Sequence, residues 1–485
     1  MAKGARVVIF CAALFTLVLT AGRAYRAWRS DAYLDHASGA MATLALDFKD
    51  GVLYRPLYGP MGYGGTRYSP LHFVLYAELW KLWGDFRRSG YLLAAVETFL
   101  LLAGVYWLLR RLGVDRLLAF CCAALVLTSE AVELCLHGFH ADTVAAMLNV
   151  WGLGLCAGAV VGSAALVAAA LLFALSFAAK VTSVAGVVTA FLALLLSGRL
   201  RQAWRLLGMT AAGYLAAVAI FYFASQGRWW ETFRASATAG SSPSRYLLLL
   251  VSPFYVFWNA AYRDASALSF LLLACIALVA WPRRAEPELP RAFFGVAAFV
   301  AGVVLVSPGT GITQGLEPMV AALVIIPAWL RREEGRPAAL ATLALAIASL
   351  IALPPQLFRF TEWDRIPRRQ RAEEALRLIG NTQKPILSEN PILPLMAGQR
   401  PYVLDESTIR IVRARDPSFA EPLWKALREQ AFSAVVLLDD PRTPGGPSLY
   451  NRRSRFDEEL YRRVEENYEL VSRNEDQYVF LPRKR

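Results

Sequence analysis

Long apolar runs separated by short arginine-rich loops fill residues 1–353, and the pattern changes at Pro354-Pro355. A membrane-spanning helix needs about 20 mostly apolar residues. Runs of that kind, or close to it, lie at residues 7–22, 91–109, 116–129, 142–160, 163–179, 182–197, 206–224, 266–281, 292–307, 318–330 and 337–353. They predict about eleven transmembrane helices. Two more apolar stretches, 70–83 and 246–258, are short, and the first is rich in aromatic residues. Both read as interfacial or re-entrant helices on the outer face, because Trp and Tyr favour the membrane boundary. From residue 354 to 485 the apolar runs shrink and charges become frequent, which predicts a small soluble α/β domain. Its expected helices are 373–379, 421–430 and 457–466, and its expected strands are 385–387, 401–404, 434–438 and 478–481.

The loops set an expected topology. Arg110, Arg111 and Arg116, then Arg199, Arg201 and Arg205, then Arg283, Arg284 and Arg291, then Arg331, Arg332 and Arg336 cluster between runs. The positive-inside rule places these clusters, with Lys3 and Arg6, in the cytoplasm. Parity then puts the N-terminus inside, the 23–90 loop outside and the tail from 354 outside. Arg23, Arg26 and Arg29 stand just beyond the first run, against that rule. The first run reads as a retained signal anchor, since Thr20-Ala21-Gly22 is a poor cleavage site before so many arginines. The chain therefore reads as a transmembrane module over 1–353 and an outward α/β domain over 354–485.

Composition changes the picture in one respect, by excluding other classes. Of 485 residues, 56% are hydrophobic and 18% charged, which excludes a soluble enzyme and a disordered chain. The 51 Lys and Arg exceed the 38 Asp and Glu by 13. A membrane protein with basic inner loops accounts for that excess, so no nucleic-acid partner is expected. Five of the six cysteines fall in predicted spans and none in the tail, so no disulfide framework is expected.

Polar residues are concentrated on the predicted outer side. All four histidines, His36, His72, His137 and His140, fall there. The first outward loop also carries Asp31, Asp35, Asp47, Asp50, Arg55, Arg67 and Tyr68, and the second carries Glu130, Glu133 and Asp142. Lys180 sits between two spans, and Glu317 opens another after the Gly-rich stretch 308–315. Ionisable groups at membrane depth are costly, which makes each a candidate for function. Each also has a plainer reading. Asp31 and Asp35 suit a surface ion network with Arg26 or Arg29, Lys180 can snorkel to the interface, and Glu317 can favour a helix N-terminus. His137, His140 and Asp142 have a spacing that can ligate a metal, though HxxH in a loop is a weak signal. Asp439-Asp440 in the tail suits a solvated turn better than a cation site.

The order of motifs carries more than any one of them. After the first span come Tyr33-Leu34-Asp35-His36-Ala37-Ser38-Gly39, Asp50-Gly51-Val52-Leu53-Tyr54-Arg55-Pro56 and Tyr63-Gly64-Gly65-Thr66-Arg67-Tyr68-Ser69-Pro70-Leu71. Phe139-His140-Ala141-Asp142, Ala179-Lys180-Val181-Thr182, Gly315-Leu316-Glu317 and a tail with Ser388-Glu389-Asn390-Pro391 follow. This order resembles the polytopic GT-C glycosyltransferases, a superfamily that uses polyprenyl-phosphate sugars and includes protein O-mannosyltransferases and aminoarabinose transferases. Its frequent Asp-Glu pair in the first loop is replaced here by Asp35-His36. The resemblance implies an inverting transfer on the outer face, with a polyprenyl-phosphate sugar as donor and a glycan, lipid or protein as acceptor. Asp35, with Asp31 and His36 beside it, is the expected catalytic group. Lys180, Arg67 and Arg55 are expected at the donor phosphate, and Asp142, His140, Glu317 and Tyr68 at sugar or acceptor hydroxyls. No cofactor is required, although a divalent cation is compatible. Residue usage rich in Ala, Leu and Arg suggests a bacterial inner membrane. A transporter of lipid-linked sugars and a non-catalytic scaffold of the same fold are the alternatives.

Overall fold

The computed structural model describes residues 2–29, 34–158, 161–237, 254, 256–257, 260, 264–281, 288–305, 311–333, 335–361, 368–380, 382–438, 456, 458–474 and 477–484. The chain forms two compact units: one holds residues 1–29, 91–218 and 242–365, the other 30–90, 219–241 and 366–485.

The first unit is helical, and each of the eleven predicted runs carries a helix. Five are long and apolar enough to cross a membrane alone: Lys3–Arg29, Phe86–Arg111, Leu200–Ala224, Ile312–Leu330 and Gly335–Thr361. Ala141–Cys156, Ser163–Ala179, Ala185–Leu196, Ser266–Ala280 and Leu289–Leu305 are shorter apolar helices. The expected span 116–129 is the helix Arg116–Thr128, and the residues expected as the loop after it form a second helix, Glu130–His137, bent from it by 73°. Asp264 holds this break. Its carboxylate is buried and accepts from Ser129 Oγ (3.0 Å), Glu130 N (2.7 Å) and Ala267 N (3.0 Å), so it satisfies a helix start that apolar neighbours would leave orphaned. Small residues let these helices approach closely. A side chain on Gly154 would strike the Trp107 ring, and one on Gly152 would strike Phe173.

The first helix, Ala2–Arg29, extends beyond the expected end at residue 22. This accounts for two of the three arginines that defy the charge rule, Arg23 and Arg26, because protein groups rather than water pair with them. Arg23 is fully buried; it donates to the Gln356 carbonyl (3.0 Å) and side chain, and its Nε lies 3.5 Å from Glu133. Arg359 completes the network at 2.7 Å from Glu133. Arg26 donates to the Phe360 carbonyl and lies over the Phe360 ring at 4.2 Å.

The second unit joins the predicted first loop to the tail domain. The loop is not irregular: it forms the helix His36–Lys49, a short hairpin of β1 (Tyr58–Gly59) with β2 (Gly62–Tyr63), and the helix Pro70–Trp83 over the predicted interfacial segment. The tail sheet has β3 (Ile386–Ser388), β4 (Ala434–Leu437), β5 (Tyr468–Asn474) and β6 (Gln477–Pro482) in the order β3-β4-β6-β5. β3 pairs with β4 in parallel, and the other pairs are antiparallel. Every residue of β4 is buried, as its unbroken Ala-Val-Val-Leu sequence demands. Helices Arg368–Ile379, Glu421–Arg428 and Glu458–Asn467 replace the three expected ones with small boundary shifts. The expected strand 401–404 does not form; Val403 makes only one parallel bridge, to Tyr63. β5 escapes the sequence pattern because it follows the helix ending at Asn467 with no turn residue between them. The apolar segment 246–258 lies almost wholly outside the described residues.

Candidate functional site

In the first unit, three of the singled-out side chains come together from three places in the sequence. Lys180 follows the last turn of helix Ser163–Ala179, where its extended backbone ends the helix. Its ammonium donates to Asp142 in the first turn of Ala141–Cys156 (2.5 Å) and to Gln314 before Leu316–Leu330 (2.8 Å). Lys180 and Asp142 keep 23% and 14% side-chain exposure, so this is a half-buried pair and not a surface bridge. An ammonium has three protons. Two are spent here.

Glu317 continues the cluster into the helices. Asn149 donates to its carboxylate (2.6 Å) and to Ser183 Oγ (2.8 Å), and Ser183 shares a 2.7 Å hydrogen bond with Ser176. Ser176 in turn donates to the Ala145 carbonyl at 2.9 Å. Asp142, Lys180, Ser183, Thr313, Gln314 and Glu317 line the polar side of a small cavity of about 20 Å³, and Val300, Ala301 and Val304 form an apolar side. Polar side chains thus face an apolar wall across this cavity. Thr313, Gln314, Asn149 and Ser183 were not anticipated. The one available signal was Asn149, an amide in the middle of an apolar run.

In the second unit, Asp35 caps the helix His36–Lys49. Its exposed carboxylate accepts from Ser38 N (2.9 Å) and from the Ser38 hydroxyl. His36 turns to the tail, with Nε2 2.5 Å from Glu406 Oε2. Burial works against the imidazolium, but the Glu406 carboxylate, with Asp405 and Asp35 behind it, outweighs that and lifts the His36 pKa to about 9. Asp405 caps the helix Glu406–Arg413 through Ser407 N (3.0 Å). Sequence reasoning passed over both acids as ordinary tail charges.

The remaining expectations fare differently. Arg55 has a structural post: its guanidinium grips Asp47 bidentately at 2.7 and 2.9 Å, and donates to the carbonyls of Met61 (3.1 Å) and Pro401 (2.9 Å). Both side chains of the pair are fully buried, which takes Arg55 out of contention for a phosphate. Arg67 is exposed, and Tyr68 is half-buried with its carbonyl accepting from Tyr54. His140 is buried at the start of Ala141–Cys156 without capping it. His137, His140 and Asp142 do not converge as metal ligands; among the described residues His36, Asp405 and Glu406 do. Asp31, Asp439 and Asp440 lie outside the described residues.

No protein-family profile and no curated protein sequence matches the chain. Its structure is similar to that of ArnT from Cupriavidus metallidurans bound to undecaprenyl phosphate. That match has a TM-score of 0.60 and 12% identity, and covers 96% of this chain and 97% of ArnT. The oligosaccharyltransferase of Archaeoglobus fulgidus in its apo form is similar at a TM-score of 0.56 and 12% identity, over 99% of this chain and 74% of that one. Helices, tail sheet and these likenesses lead to one statement: the chain is a polytopic membrane protein with a GT-C-like fold.

Proposed function

We propose that the chain is an inverting glycosyltransferase that moves a sugar from a polyprenyl phosphate to an acceptor hydroxyl on the outer face of the membrane. The observation that carries this reading is Lys180, whose ammonium lines a cavity with two of its three protons committed to Asp142 and Gln314. The third proton suits an oxygen of the donor phosphate, and the Val300–Ala301–Val304 wall suits the start of a lipid chain. ArnT's bound undecaprenyl phosphate supports a donor of that class. In this reading Asp142 and Glu317 accept hydrogen bonds from sugar hydroxyls.

The reaction needs a base for the acceptor proton and charge stabilisation for a phosphate that leaves as an anion. The Asp35 carboxylate takes the hydroxyl proton, the acceptor oxygen bonds to the anomeric carbon, and the carbon–oxygen bond to phosphate breaks. Polyprenyl phosphate departs. The acceptor is a glycan, lipid or protein hydroxyl.

Membranes holding wild type, Asp35→Asn, Asp31→Asn or Lys180→Met, each given radiolabelled polyprenyl-phosphate sugars, test the reading. Asn caps a helix as well as Asp does, so Asp35→Asn removes the base and spares the fold. Turnover should fall by about 10²–10⁴-fold, the usual worth of a general base. Activity that survives there and dies in Asp31→Asn moves the base to Asp31. No turnover with any donor, alongside measurable translocation of lipid-linked sugar, overturns the reading in favour of a transporter.

A further inference from the structure

Away from the Lys180 cavity, a second group of side chains has the makeup of a ligand set. His36, Asp405 and Glu406 each offer one donor atom, and the three atoms lie within 4.8 Å of one another. The acids are consecutive in sequence and almost sealed from water, with Asp405 7% and Glu406 5% exposed. Two buried carboxylates against one imidazole leave these three side chains at −1 even with the ring protonated, since −2 + 1 = −1. Uncompensated buried charge is costly. His36 Nε2 is buried and 2.5 Å from the Glu406 carboxylate oxygen, yet it is not aligned for a hydrogen bond. Asp405 is better prepared: Ser407 N (3.0 Å) and Ser407 Oγ (2.5 Å) anchor Oδ1 and fix the carboxylate plane.

We propose that His36, Asp405 and Glu406 bind one divalent cation of the zinc class. One imidazole nitrogen and two carboxylate oxygens form a mixed borderline set that suits Zn²⁺ better than Ca²⁺, which prefers six to eight oxygens, or Cu⁺, which prefers sulfur. Three protein ligands leave a fourth position for water. Bonds of about 2.0–2.2 Å set tetrahedral ligands roughly 3.4 Å apart, so His36 has to withdraw from Glu406 by about 1 Å. The His36 side chain keeps 29% exposure and has room to do so. A +2 ion then replaces a residual −1 with 0 over the three ligands and the ion, since −2 + 2 = 0 with His36 neutral.

The ion would tie the start of helix His36–Lys49 to helix Glu406–Arg413, and so fix the residue next to Asp35. That consequence rests on the transferase reading; the binding does not. The test uses the untagged full-length chain in nanodiscs, stripped with chelator and titrated with ZnSO₄ by calorimetry. Metal analysis after dialysis should find one zinc per chain, and Glu406→Gln and His36→Asn should each weaken binding by at least about tenfold, the lower end of what a disturbed zinc shell costs. Zinc K-edge absorption on the loaded wild type should show imidazole among the ligands, a readout that does not depend on either variant folding. Zinc not retained by the wild type, undiminished affinity in both variants, or a shell without imidazole overturns the proposal whether or not the chain transfers sugars.

Discussion

Replacing Arg55 with Met separates a structural arginine from a ligand-binding one. The substitution keeps most of the side-chain stem and removes the guanidinium that holds Asp47 at 2.7 and 2.9 Å in a fully buried pair. Breaking one side of such a pair costs about 3–5 kcal/mol, because the other charge stays buried. Here Arg400 softens the loss: its Nε lies 3.4 Å from Asp47 Oδ1. The cost should therefore fall near the lower limit, about 3 kcal/mol. Since 1.36 kcal/mol is one decade, the local opening constant should rise roughly 150-fold. Hydrogen exchange by mass spectrometry on the full chain reads this directly at Tyr63 and Leu404, whose amides bond to the Tyr402 and Tyr63 carbonyls at 2.7 and 3.0 Å. The double variant Asp47→Leu/Arg55→Met removes both charges and should recover most of the protection. Exchange in Arg55→Met within about threefold of wild type, or a double variant no better protected than the single, refutes the assignment. A phosphate-binding Arg55 would instead leave exchange unchanged and raise the KM for donor.

Three further outcomes follow from the geometry. Gly62 has φ +85°, and a Cβ there would lie 2.1 Å from the Tyr402 carbonyl oxygen, whereas Gly51, also at φ +85°, faces open space. Gly62→Ala should therefore destabilise by more than the roughly 1–3 kcal/mol of backbone strain alone, and Gly51→Ala should cost no more than that strain, both read as exchange at Leu404. Asp264→Ala strips the acceptor from Ser129, Glu130 and Ala267, and should lower the thermal unfolding temperature in detergent by more than Asp264→Asn, which can still cap. Asn149→Leu deletes the 2.6 Å hydrogen bond to Glu317 and should cut kcat/KM for the donor by about tenfold with expression unchanged, the worth of a hydrogen bond to a charged group.

The sequence displayed the membrane helices because spanning requires a composition nothing else requires, and the ends of those helices displayed Asp142, Lys180 and Glu317 because charge is rare there. The partners were hidden for the same reason. Asn149, Ser183 and Gln314 carry no charge, and the Asn149–Glu317 bond joins residues 168 apart in the chain. Helix His36–Lys49 falls within the stretch 23–90 that the sequence pattern reads as a loop, although Asp35 and Ser38 have the spacing of a cap and its bonding partner. Its sequence carries Gly39 and several small residues, and the partner at its start comes from far along the chain: Asn390, 356 residues from Leu34, donates to the Leu34 carbonyl just before the helix (2.9 Å). Asp405 and Glu406 could not be told from solvated acids, since their burial is a property of the folded unit.

Arg23, Arg55 and Lys180 each carry one positive charge, and the structure separates them by what remains available. Arg23 and Arg55 have 0% side-chain exposure, and carboxylates and backbone carbonyls of the protein surround their guanidiniums. A rigid planar fork with five donors suits that work, because it can satisfy a carboxylate and several carbonyls at once. Any ligand would have to displace partners already paid for in desolvation. Lys180 differs in each respect: it keeps 23% exposure, it has spent two protons of three, and it lines a cavity with an apolar wall. Its compact ammonium can exchange the neutral Gln314 contact for an anionic ligand oxygen with little rearrangement, since the two hydrogen bonds span a similar distance and the second joins opposite charges. Unspent donor capacity beside a cavity, more than charge or burial, is why Lys180 rather than Arg23 or Arg55 is the residue proposed to meet the donor phosphate.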